Sequence, residues 1–181
     1  MISRIKNYFT QLYRINLPII SHEKLVWKDL KKMLIEANWR HGVFENDKYA
    51  EVYFEISDGE LSTYYYMIYD GYFHCRVKIL EHFDSELTTD LFVLATHFNN
   101  LLNNGVVLVH VKNNYIEYHQ KRDLLVPYLY RSEIYGQLIR HYKTSKDIFQ
   151  AFRRLERERE APAIIIADLL NKLNQDKETE S

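Results

Sequence analysis

Two Asp-Gly dipeptides, Asp58-Gly59 and Asp70-Gly71, punctuate a run of alternating apolar and polar side chains, and they constrain this chain more than any other feature. Asp-Gly readily adopts the positive backbone dihedrals that tight hairpin turns require, so residues 49–80 are predicted to form a three-stranded antiparallel meander. Successive side chains of a strand point to opposite faces. Ala50, Val52, Phe54 and Ile56 therefore share one side of the first strand, and Tyr49, Glu51, Tyr53 and Glu55 the other. In the third strand Phe73, Cys75, Val77 and Ile79 oppose His74, Arg76 and Lys78.

The middle strand decides which turns are allowed. A two-residue turn at Asp70-Gly71 sets Tyr69 against Tyr72 and places Tyr64, Tyr66 and Ile68 with Phe73, Cys75 and Val77. A two-residue turn at Asp58-Gly59 would then pair Phe54 with Thr63 and Val52 with Tyr65, putting the apolar side of the first strand against the wrong side of the second. A three-residue loop Ser57-Asp58-Gly59, with Gly59 left-handed in a G1 bulge, restores one continuous apolar face and is the predicted connection. Opposite that face gather Tyr49, Tyr53, Tyr65, Met67, Tyr69, Tyr72 and His74, interleaved with Glu51, Glu55, Arg76 and Lys78. A surface so rich in rings is too apolar to be left simply in water. Either terminal helices cover it, or it is a contact surface for a second subunit or a peptide. In the latter case Tyr53, Tyr65, Met67, Tyr69, Tyr72 and His74 are the candidate partner-binding residues.

Helical spacing frames the meander. Ile2, Ile5, Phe9 and Leu12 predict an amphipathic helix within residues 1–20, packed on the domain or on a second copy, with weak membrane-surface association as the alternative. Ser21 is the expected N-cap of a helix from His22 to Trp39 that buries Leu25, Leu30, Met33, Leu34 and Ala37. Gly42 would end that helix or the turn beyond it, residues 38–48 would lead into the meander, and Trp39 would pack back on the helix. Asp84-Ser85 opens a helix whose Leu87, Leu91, Leu94, Ala95, Phe98, Leu101 and Leu102 share a face, and Asn103-Asn104-Gly105 stops it. Val106–Lys112 and Tyr115–Lys121 read as a second hairpin with a two-residue turn at Asn113-Asn114, which would place His110 opposite Glu117.

Leu124–Tyr130 reads as a crossing loop or a single helical turn. Helix is expected again over residues 132–159, interrupted or kinked near Lys143-Thr144-Ser145, where Thr144 or Ser145 could cap a fresh helix, with Gly136 permitting close helix packing. The mixed charges of Arg153–Glu160 read as a solvated face, or as an ion-pair seam with a partner. Ala161-Pro162 breaks the pattern, Ala163–Leu173 forms a last helix, and Asn174–Ser181 is expected to be disordered. The fold class is α+β, an antiparallel sheet of about five strands with helices on one face. Residues 1–20, 21–160 and 161–181 are its expected divisions.

Composition and motifs narrow the chemistry. With 24 Lys and Arg against 25 Asp and Glu, the chain has no global field to draw nucleic acid or an anionic membrane. Its one cysteine, Cys75, cannot form an intrachain disulfide, and a buried thiol behaves as a small hydrophobe. Without a secretory apolar region or a membrane-length apolar run, the expected setting is the cytoplasm. There is no G-x-S-x-G elbow, phosphate loop or G-x-G-x-x-G turn. His74, His110 and His119 fall on polar strand faces and could approach one another. They lack the helical spacing, the cysteine pair and the carboxylate set of a zinc or iron site, so neither metal nor cofactor is expected. Glu51 and Glu55, pointing outward beside Tyr53, read as solvated carboxylates rather than an acid and base pair.

The order helix, three strands, helix, two strands, helix over residues 22–158 resembles that of the YbjN-like family, which has the type III secretion chaperone-like fold. The local likeness is best over Leu94–Tyr118, where Phe98-Asn99-Asn100-Leu101-Leu102 runs through Asn104-Gly105 into the strand Val106–Lys112. The helices expected at Ile2–Tyr13 and Ala163–Leu173 are additions to that pattern. The resemblance implies a chaperone-like shape and a place among bacterial regulators of sensory transduction, without a chemical activity and without site residues. The expected function is a non-enzymatic protein-binding module, chaperone-like or regulatory, working as a homodimer. The alternative is a small-ligand or hydrolytic enzyme with a cleft near His74, His110 and His119.

Overall fold

Asp70 and Gly71 both take positive φ, 52° and 75°, in the computed structural model, which describes residues 9, 12–14, 16–124 and 131–179. Two successive positive values make a type I′ turn, whose twist matches that of the strands it joins. Tyr69 pairs with Tyr72, and Tyr66 with Cys75, as the alternation requires. At the first corner Gly59 alone is left-handed, at 74°, and the register slips by one residue between Glu55 and Ser57. Val52 therefore meets Tyr64 and Phe54 meets Ser62, the parity expected of the bulge. Ser57 pairs with Glu60, however, so the loop is Asp58-Gly59 alone rather than Ser57-Asp58-Gly59, and the extra residue, Ile56, is taken up inside the strand.

The strand before the meander is new. His41–Phe44 (β1) pairs with Tyr49–Ser57 (β2), which pairs with Glu60–Tyr69 (β3) and then Tyr72–Leu80 (β4). The preceding helix, Ile19–Glu36 (α1), begins after Pro18, whose fixed φ suits a helix start, rather than after Ser21. It ends in a Schellman arrangement. Asn38 is left-handed at φ 52°, its amide donates to the Ile35 carbonyl, and the Trp39 amide donates to the Leu34 carbonyl. Asn38, not Gly42, is thus the terminator, and Gly42 lies within β1 opposite Glu51. Val26 is buried where Leu25 is only half-buried. Trp39 meets Phe54 edge-on and stacks on Tyr135.

A 3-10 turn at Ser85–Leu87, capped by the Asp84 carboxylate, leads into Thr88–Leu101 (α2), which buries Leu91, Leu94, Ala95 and Phe98 but leaves Leu101 exposed. Val106–His110 (β5), a 3-10 turn at Val111–Asn113 and Tyr115–Asp123 (β6) follow. The second hairpin differs from expectation by two residues. Asn114 is left-handed and the 3-10 turn lengthens the connection, so His110 faces Tyr115 and Leu108 faces Glu117. A shift of two preserves the faces, so Val107 and Val109 still line up with Tyr118 and Ile116. The six strands form one antiparallel sheet in the order β1-β2-β3-β4-β6-β5.

Arg131–Glu158 (α3) is continuous through Lys143-Thr144-Ser145. A Thr-Ser pair costs a helix only a few tenths of a kcal/mol per residue. Burial of Ser145, Ile148, Phe149 and Phe152 on one stripe outweighs it. A Cβ on Gly136 would meet only the Arg140 side chain, so that glycine does not mark a close helix contact. Pro162–Thr179 (α4) extends into the stretch expected to be disordered. Of the expected N-terminal helix, Phe9 and residues 12–14 are helical, and the rest lies outside the described residues. Of Leu124–Tyr130 only Leu124 is described. It is buried, and its amide donates to the Gly71 carbonyl at 3.0 Å.

The chain divides into two compact units, Met1–Val77 with Gln120–Lys143 and Lys78–His119 with Thr144–Ser181. In the first, Leu30, Leu34, Ala50, Val52, Tyr66, Phe73 and Leu138 are buried. Tyr142 and His141 of α3 pack their rings on Phe54, Tyr64 and Tyr66. In the second, α2 packs on β5 and α4, with Phe98 stacked on Phe152. Arg153, Arg154, Glu156, Arg159 and Glu160 find ion-pair partners within this unit. Arg154 is held by both oxygens of Glu160, at 2.6 and 2.9 Å, and by Asp168 of α4 at 2.6 Å, which pushes its pKa up further. Arg159 pairs with Asp84.

Candidate functional site

The outward face of β2, β3 and of β4 as far as Val77 lies within the first unit, and cross-strand register organises it into rows. Phe44, Tyr49, Met67 and His74 stand in line across β1 to β4, and Gly42, Glu51, Tyr65 and Arg76 form the next row. Cross-strand neighbours on one face lie close enough for their side chains to touch. Phe44 stacks on Tyr49 with ring centroids 4.2 Å apart. Tyr69 lies flat on His74 at 4.0 Å, while Tyr72 meets the imidazole edge-on. His74 is 4% exposed beneath them, whereas Tyr69 is 43% exposed and Phe44 40%. Tyr49, Tyr53, Tyr65, Met67 and Tyr72 are half-buried.

Charge surrounds the rings on both sides. The Arg40 guanidinium sits 5.1 Å from the Tyr53 ring centroid and the Lys121 ammonium 3.7 Å from that of Tyr72, both in cation–π range. The Tyr53 hydroxyl donates to Glu51 at 2.9 Å, and this bond, with burial and the Glu51 charge, holds the phenol pKa above its ordinary value. Burial does the same at Tyr49. The six candidate residues Tyr53, Tyr65, Met67, Tyr69, Tyr72 and His74 thus share one face, with four of them gathered around the β3–β4 end. Such a surface offers ring faces, a polarizable thioether and both signs of charge, the chemistry of non-covalent contact.

The histidine cleft does not assemble within the second hairpin. His110 stacks on Tyr115 at one end, and His119 stands opposite Val106 at the other, four residues along β5 or about 13 Å away. Among the described residues no group of three His, Cys, Asp or Glu side chains is placed to hold a metal ion.

Beneath the sheet lies a polar cluster that sequence reading missed. Gln137 donates to Gln120 at 2.5 Å, and His141 turns its ring edgewise to Tyr64 and Tyr66. All five are buried, as is Cys75 beside them. Burial drives the Cys75 thiol far above its ordinary pKa, and Gln137 and Arg122 offset that only in part, so the thiolate is suppressed. The only sequence clue is a glutamine or histidine at an inward position of an otherwise apolar stripe.

A comparison with protein-family models and with curated proteins finds no match. No described helix is long and apolar enough to cross a membrane.

Proposed function

We propose that the chain is a non-enzymatic protein-binding module, chaperone-like or regulatory, that engages its partner through the tyrosine face of β2, β3 and β4 and works as a homodimer. The observation that carries this reading is the grouping of Tyr53, Tyr65, Met67, Tyr69, Tyr72 and His74 on one half-buried face rimmed by Arg40, Glu51 and Lys121. Tyrosine, methionine and arginine are the residues enriched where proteins meet. The resemblance of element order to the YbjN-like family belongs to the same proposal, as does a cytoplasmic setting. The added strand β1 lengthens that order by one element.

The test is a triple variant, Tyr53→Ser, Tyr65→Ser and Tyr69→Ser, compared with the unaltered chain by sedimentation and by cross-linking in native cells. Loss of assembly with an unchanged circular dichroism spectrum supports the reading. Identical assembly of the two chains, or an unaltered chain that is monomeric and alone at every concentration, overturns it.

A further inference from the structure

Glu51, Tyr65 and Arg76 stand in register across β2, β3 and β4, with the acid and the base one strand to either side of the tyrosine. Tyr49, Met67 and His74 form the neighbouring row. Strands lie about 4.8 Å apart and facing sheets about 10 Å apart, so few placements of a second copy on this face set opposite charges against one another. Closed dimers use the same patch on both subunits, which makes self-complementarity the requirement.

Resting on the proposed role of the tyrosine face, we propose that two copies stack face to face with their two-fold axis parallel to β3. Rotation about that line exchanges β2 and β4 while keeping every row in place. Glu51 then faces the partner's Arg76, and the partner's Glu51 faces Arg76, while Tyr65 and Met67 each meet their own counterparts on the axis. An axis running across the strands instead lays β2 on β2 and gathers the outward carboxylates Glu51 and Glu55 of the two copies, opposing like charges. The Tyr53 hydroxyl donates to the Glu51 carboxylate at 2.9 Å, a bond between two side chains of that same face. Packed sheets twist by roughly 30° relative to one another. So close to the axis, that twist displaces Glu51 by only about half a strand spacing, within reach of an arginine side chain.

Charge reversal on the full chain tests the axis. Glu51→Arg puts two positive charges together at each contact, and Arg76→Glu two negative ones. Each is expected to weaken dimerisation about tenfold or more, read by sedimentation equilibrium, with folding checked by circular dichroism. Mixed one to one, the two variants pair opposite charges at both contacts, and the tight dimer is expected to return as a heterodimer. The double variant on one chain is expected to dimerise like the unaltered protein. If the reversals change the dissociation constant less than twofold, or the mixture stays as weak as its components, the axis is wrong. Tyr65→Glu separates the two proposals. If it abolishes the dimer while the reversals do nothing, the tyrosine face stands and the orientation falls. If it leaves the dimer intact, or if the unaltered chain never dimerises, both fall.

Discussion

The hydroxyl of Tyr142 donates a hydrogen bond of 2.7 Å to the backbone carbonyl of Glu55, 87 residues earlier in the chain. β1 pairs with β2 only as far as Val52, and the Arg40 carbonyl takes the Tyr53 amide. Beyond that point the outer edge of β2 would present unpaired backbone groups, a template for association with another strand. The Tyr142 phenol occupies the acceptor there.

Tyr142→Phe is therefore expected to destabilise the chain by about 1 kcal/mol, the net worth of one hydrogen bond, because the ring contacts with Phe54 and Tyr64 survive. Urea unfolding monitored by circular dichroism measures it. A change below about 0.3 kcal/mol would show that water replaces the hydroxyl without loss.

The β3–β4 turn predicts a difference between two glycines. An added Cβ at Gly71 would approach Ile19 Cγ1 to 3.0 Å at φ 75°, whereas at Gly59, φ 74°, it would meet nothing within 4 Å. Both Gly→Ala changes incur the left-handed penalty of roughly 1–2 kcal/mol. Only Gly71→Ala must also displace the start of α1. Thermal unfolding of the pair should rank Gly71→Ala as the more damaging, and equal effects would mean that Ile19 swings aside freely.

The same turn sets an acid sensitivity. Burial would raise the Glu23 carboxyl, but the hydrogen bond from Lys48 at 2.9 Å, the Gly71 amide at 2.9 Å and the Lys48 charge outweigh it and hold the pKa below the ordinary value. The folded carboxyl binds its proton less readily than the unfolded one. Its contribution is thus complete above the unfolded pKa of about 4.3 and is lost as pH falls through the lower folded value. Unfolding free energy measured from pH 6 to pH 3 should fall less steeply for Glu23→Gln than for the unaltered chain. Parallel curves would remove Glu23 as a cause.

In the second unit the Asn99 side chain behaves like a piece of strand. Its oxygen accepts the Val107 amide at 2.7 Å, and its nitrogen donates to the Val107 carbonyl at 3.1 Å. Asn99→Ala leaves both groups of a buried residue without that partner, at an expected cost of about 2 kcal/mol. Chemical denaturation gives the cost, and faster amide hydrogen exchange at Val107 gives its location. Unchanged exchange at Val107 would contradict the assignment.

Legibility followed the range of the interactions involved. The parity of β2, β3 and β4 could be read because alternation and Asp-Gly turn geometry act between near neighbours, and they leave one consistent solution. β1 could not, since His41–Phe44 is four residues long, contains a glycine, and owes its extended state to pairing with β2. The continuity of α3 escaped for the opposite reason. Lys143-Thr144-Ser145 has weak local preference, and the buried stripe around it overrides that preference. The six candidate contact residues were legible as one face, whereas the stacking of Tyr69 on His74 and the cations over Tyr53 and Tyr72 were not.

What the amino-acid order determined by itself is the alternation of faces, the two corners and the apolar stripe of α2, all set by steric rules acting over a few residues. Tertiary structure alone decided the pairing partner of each strand end, the burial of Gln120, Gln137 and His141 beside Cys75, and the Tyr142 hydroxyl on the edge of β2. Those arrangements join side chains that are far apart along the chain, and nothing in their spacing encodes the distance at which folding places them.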